Sequence, residues 1–213
     1  MLKQTNVAAS SWVTGAPRVT VVVWAVIVAG MVGVAGSVEQ MRVQGVDPRW
    51  PLLAGLTIVG AVAMLKLRAA PVSFSIADTF TLTTLFLLGP APATVTAALE
   101  ALTISVLLSP TQRRPTRVLF NIGAVAAAMC VAGGVLDRLA GGELTALLAH
   151  SPVTAAVPVL CAVSTYFILN TGVVSAAVAI EQHTEWRAVW RTHFAHCAYC
   201  RRSISRSPST WWK

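Results

Sequence analysis

Charge is what this sequence has least of. Sixteen Lys and Arg and eight Asp and Glu make up 11% of its 213 residues, where a soluble domain carries about 25%. A surface with so few charges dissolves poorly in water but suits lipid, which requires apolar side chains. Cysteine is also sparse, with four residues, which excludes a secreted disulfide scaffold. Cys130 and Cys161 fall within apolar blocks, where a free cysteine behaves as a small hydrophobe. The sequence has no Walker loop, dinucleotide fingerprint, H-E-x-x-H pair or serine nucleophile elbow. No catalytic set and no cofactor is therefore expected.

Long apolar blocks fill the chain instead, and the mean hydropathy is +0.69. The first is Val19 to about Gly36, which at 1.5 Å per residue matches the ~30 Å hydrocarbon core. Its length and 18-residue lead-in predict a retained spanning helix rather than a cleaved signal peptide. Within it Ala29 and Gly33 form a small-xxx-small pair suited to close helix approach. A polar loop, 37–50, follows, with Trp50 placed as an interfacial anchor. The second block is Pro51 to about Leu67. The third, about Phe74 to Leu88, is threonine-rich, and Gly89-Pro90-Ala91-Pro92 separates it from a fourth, about Ala93 to Leu108. The fifth is about Val118 to Leu136 and the sixth about Val153 to Ile180. The sixth exceeds a simple span, which predicts tilt, overhang or a break near Pro158 or Asn170–Gly172. Between the last two blocks, 139–151 reads as a short amphipathic interfacial helix.

The expected fold class is all-α: a polytopic membrane helix bundle of about six transmembrane helices. Residues 1–17 read as a flexible cytoplasmic N-terminus, 18–181 as the transmembrane domain and 182–213 as a basic cytoplasmic tail. The net charge of +8 does not indicate nucleic-acid binding, because the basic residues sit in short runs between apolar blocks. Membrane lipids are the expected partners, with a cytoplasmic signalling partner or a second copy of the chain as further possibilities. If six blocks span from a cytoplasmic start, 13 of the 16 basic residues lie inside, and Arg42, Arg49 and Arg138 lie outside. The positive-inside rule thus places the chain in a bacterial inner membrane with both ends cytoplasmic. The charge pattern is the same whether blocks three and four span fully or form a re-entrant pair.

Two carboxylates inside apolar blocks carry the most information. Burying one in hydrocarbon costs about 2.5 kcal/mol or more, so it normally faces protein or a wet cavity. Asp78 lies 12 residues before Pro90 and Glu100 lies 10 after it, so a hairpin sets them at similar depth. Two close carboxyls disfavour double ionisation and can share a proton, which suits a proton relay or a cation cavity. Asp78 also reads as a cap at the start of its helix. Thr96, Ala97 and Thr103 share the Glu100 face by helical spacing. Asn121, Tyr166 and Asn170 are further ligand- or proton-binding candidates, and each also reads as interhelical packing glue, with Tyr166 one turn before Asn170. His193, His196, Cys197 and Cys200 are zinc-ligand types. They lie within eight residues, tighter than two-knuckle spacing, and no metal site is expected.

Three segments carry a family resemblance: FSIADTFTLTTLFLLGPAPA (74–93), RRPTRVLFNIGA (113–124) and TYFILNTGVVSAAVAI (165–180) followed by Trp186-Arg187. Together the stretch from Phe74 to Arg191 resembles the multi-pass N-terminal sensor region of bacterial signalling proteins that carry HD-GYP phosphodiesterase, diguanylate cyclase or histidine kinase modules. The resemblance implies further membrane helices and an output module behind Trp186-Arg187. Here RTHFAHCAYCRRSISRSPSTWWK follows instead, which predicts a truncated or frame-shifted relative, or a stand-alone membrane module that needs a partner. The function expected is membrane sensing or scaffolding without catalysis. The alternative is a small-molecule or ion transporter or a substrate-binding membrane subunit, using Asp78 and Glu100.

Overall fold

The computed structural model describes residues 17–66, 76–108, 115–141, 144, 147, 149 and 151–181. These residues form six helices: α1 (Pro17–Gln44), α2 (Trp50–Lys66), α3 (Ile76–Leu88), α4 (Pro90–Leu108), α5 (Pro115–Ala140) and α6 (Pro152–Glu181). No strand occurs among the described residues. Thr20–Gln44, Pro90–Leu107, Pro115–Ala140 and Val153–Ala176 are long and apolar enough to cross a membrane, while Trp50–Ala63 and Ala77–Leu88 are shorter. The chain is an all-α membrane helix bundle in which α2 and α3 are the short members.

Local chemistry sets most of the helix boundaries. Prolines open α1, α4, α5 and α6, where a missing N–H costs nothing and φ is already helical. Asp47 Oδ1 accepts from the Arg49 N–H at 2.7 Å ahead of α2, and Ser151 Oγ accepts from the Thr154 N–H at 3.4 Å at the start of α6. Gly45, Gly89 and Gly141 follow α1, α3 and α5 with positive φ, a conformation glycine adopts without a Cβ penalty. The first helix runs eight residues beyond the expected end near Gly36. The sequence from Ser37 to Gln44 contains no breaker before Gly45, and Glu39 pairs with Arg42 at 3.4 Å. The sixth runs unbroken for 30 residues with Pro158 inside it, and through Asn170–Gly172. Leu144, Leu147 and Ala149 are helical, with Leu144 buried in the core rather than on an open surface.

α4 and α5 are the centre of the bundle. α4 packs against α1, α2, α3 and α5, and α5 against α1, α4 and α6. α4 and α5 run antiparallel: Ser105 bonds Asn121, Thr94 meets Cys130, and Pro90 lies against Gly133. α1 and α5 run parallel, with Gly30 against Gly123 and Gly33 against Cys130. At the first crossing the two backbones touch: a Cβ on Gly123 falls 2.9 Å from Ile27 Cα, and one on Gly30 runs into the Gly123 carbonyl. The close approach therefore centres on Gly30, with Gly33 tight against Cys130 one turn further on, while Ala29 of the expected Ala29/Gly33 pair is exposed.

The bundle is apolar outside and small inside. Val21, Trp24, Leu52, Val153 and Leu160 are exposed, while alanines and threonines of α3, α4 and α5 fill the centre around Leu85 and Met129. A water-soluble bundle reverses that order. In lipid no hydrophobic force draws helices together, so close packing of small residues and interhelical hydrogen bonds take over.

Candidate functional site

The candidate site lies where α3, α4 and α6 meet. Glu100, in the middle of α4, is only 4% exposed and sits among Ala97, Ala98 and Ala101. Its Oε2 accepts a hydrogen bond of 2.8 Å from the Thr81 hydroxyl of α3. Asp78, one turn before Thr81, lies close enough to act electrostatically on Glu100. The Tyr166 hydroxyl of α6 donates to Asp78 Oδ1 at 3.2 Å, with the tyrosine itself 5% exposed. Two carboxyls, one phenol and one hydroxyl from three helices thus form a single polar cluster in an apolar bundle.

Helical spacing explains the geometry. Asp78 and Thr81 are three residues apart and project from one face of α3. Gly89 and Pro90 fold α4 back against that face, since Gly89 takes φ +89 and its N–H still bonds the Leu85 carbonyl at 3.1 Å. The hairpin therefore brings the acid of each arm to a similar depth. The third side comes from Tyr166, 88 residues from Asp78 along the chain.

Threonine is abundant here, but most of it is locally satisfied. Thr83, Thr84, Thr94 and Thr103 each donate to the carbonyl four residues back. Thr81 differs in sending its hydroxyl across the helix interface to a carboxylate. Thr96 donates to the Pro92 carbonyl and accepts the Trp50 indole N–H at 3.0 Å. Trp50 is thereby a tie between the start of α2 and the start of α4, reaching into the bundle from the position where an interfacial anchor was expected.

The structure brings Asp78, Glu100 and Tyr166 together and leaves the two asparagines outside that group. Asn121 is exposed on α5 and donates to Ser105 Oγ of α4 at 3.2 Å. Asn170 is half-buried one turn beyond Tyr166. His193, His196, Cys197 and Cys200 lie outside the described residues. Thr81 was not singled out from the sequence, although it stands one turn after Asp78, which was the available signal. Thr96 and Thr103, expected at the Glu100 face, bond elsewhere.

Two carboxyls placed this close disfavour double ionisation. A carboxyl in this setting has exchanged water for one hydroxyl donor and a second carboxyl, so its charge depends strongly on its neighbour.

The MASE9 family model matches residues 55–201, about two thirds of the chain, and takes in α3, α4, α5 and α6 with every member of the cluster. No curated protein and no solved structure matches the chain.

Proposed function

Because the chain belongs to the MASE9 family of membrane-associated sensor domains, we propose that it is a sensing module without catalysis of its own. Its input element is the acid pair Asp78 and Glu100. The observation that carries this reading is the burial of Glu100 at 4% exposure beside a second carboxyl. Such a residue inside a membrane domain marks a functional position rather than a packing one, because hydrocarbon penalises it heavily.

The module sits in a bacterial inner membrane with both ends cytoplasmic. Helix direction supports that placement: the ends of α2 and α4 and the starts of α3 and α5 flank the connections carrying Lys66, Arg68, Arg113, Arg114 and Arg117. A concentration of Lys and Arg in such connections favours the cytoplasmic side. The signal is a change of charge at the acid pair, by proton or cation, and the output passes to a cytoplasmic partner or to a second copy of the chain.

The test is a chimaera of the full chain with a diguanylate cyclase fused behind Lys213. It is assayed in membrane vesicles across pH and normalised to the same cyclase on an unrelated anchor. Output that varies with pH in the parent and is flat in Glu100→Gln is the expected result. Proton-coupled uptake of a labelled solute or cation into proteoliposomes, with output unchanged, points instead to transport through the same acid pair.

A further inference from the structure

Tyr166 joins two helices whose main packing is on other neighbours. α3 packs chiefly on α2 and α4, and α6 chiefly on α5. The hydrogen bond from Tyr166 to Asp78 links α3 to α6 directly. On the α3 side, Asp78 belongs to the same helical turn as Thr81, which holds Glu100. On the α6 side, 15 residues of continuous helix follow Tyr166 to Glu181, a rigid arm of about 22 Å. We propose that the Tyr166–Asp78 bond is a latch that sets the position of α6 according to the charge on the Asp78–Glu100 pair. The latch rests on the sensing role proposed above and supplies its route out of the membrane domain.

Asp78 is met by groups from two other helices. Glu100 faces it from α4 and Tyr166 from α6, and no other described residue acts electrostatically on Glu100 or on Tyr166. The titratable residue of α2 is Lys66, six positions beyond Gly60, which packs against Ala77, and so about 9 Å further along the helix axis. A charge placed on or removed from the pair changes how strongly Asp78 accepts from the phenol, since bonds to an ionised acceptor are roughly twice as strong as neutral ones. Small shifts of a packed helix are the usual form in which such a change propagates.

The experiment uses the full chain in lipid nanodiscs, with Cys130, Cys161, Cys197 and Cys200 changed to alanine. Spin labels are placed at Leu87→Cys on α3 and Ile168→Cys on α6, both exposed. Lowering the pH from about 8 to about 5 is expected to shift the measured distance by about 2 Å or to broaden its distribution clearly. Tyr166→Phe, which keeps the ring and removes only the hydroxyl, is expected to show the shifted distribution at both pH values. A second label pair, Leu87→Cys with Leu102→Cys across the α3–α4 hairpin, is expected not to move. A narrow α3–α6 distance that ignores both pH and Tyr166→Phe overturns the latch, as does equal movement of the hairpin pair. A static α6 in a chain whose chimaera still responds to pH sinks the latch and leaves the sensing role intact. A chimaera with no response sinks the sensing role and the latch with it.

Discussion

Glu100 is an expensive residue to keep where it is, and its surroundings show how the cost is met. A lone carboxylate at that depth costs about 2.5 kcal/mol or more; the Thr81 hydroxyl lowers that penalty, and the neighbouring Asp78 carboxyl adds to it when both groups are ionised. Glu100→Gln keeps the volume and an acceptor oxygen for Thr81. It is expected to express and insert normally and to lose only the response to charge. Thr81→Val is the complementary change, since it preserves shape and strands the carboxyl. It should cost about 1.5–3 kcal/mol, visible as a lower midpoint in thermal unfolding in detergent. An unchanged midpoint would show that the bond contributes nothing. Trp50→Phe loses the indole bonds to Thr96 and to the Pro92 carbonyl. It is expected to destabilise by about 1 kcal/mol without altering the pH response, because Trp50 ties helix starts outside the acid cluster.

Among the elements, α1 and α5 make the closest crossing. Their backbones meet at Gly30 and Gly123 with no space for a Cβ on either. Gly30→Leu is therefore expected to push the helices apart, at a cost of about 1–3 kcal/mol for overpacking and with loss of monodisperse protein in size-exclusion chromatography. Gly36→Ala is the control: a Cβ there meets nothing within 4 Å, and the substitution should be neutral or slightly stabilising through helix propensity. A neutral Gly30→Leu would refute the crossing. α6 tolerates Pro158 in mid-helix because neighbouring helices can support a spanning helix around the missing N–H.

At the scale of the whole molecule, up-and-down helix directions and the basic connections combine into one topology. Single cysteines at Val46 and Gly142 are expected to react with a membrane-impermeant thiol reagent added outside intact cells. Cysteines at Gln112 and Ser205 are expected to react only after permeabilisation. Outside labelling of Gln112→Cys would overturn the orientation, since that position lies between α4 and α5 beside Arg113 and Arg114.

Hydropathy and charge along the chain determined the class, the number of helices and the acid-bearing positions. These are local consequences of lipid: apolar runs must satisfy their own backbone as helices, and breakers such as Gly45 and Gly89 end them wherever they fall. Placing Glu100 inside protein also needed only its position in the middle of an apolar block. The tertiary structure alone decided which faces meet. Spanning helices that are apolar all round have no polar side to fix their rotation, so sequence spacing favoured Ala29 with Gly33, and Thr96 and Thr103 with Glu100. Close backbone packing instead selected Gly30 against Gly123, and the α3–α4 hairpin presented Thr81 to Glu100. The contact between Tyr166 and Asp78 joins residues 88 positions apart. It follows from how α6 is seated on α5, which small-residue packing decides and no local pattern encodes.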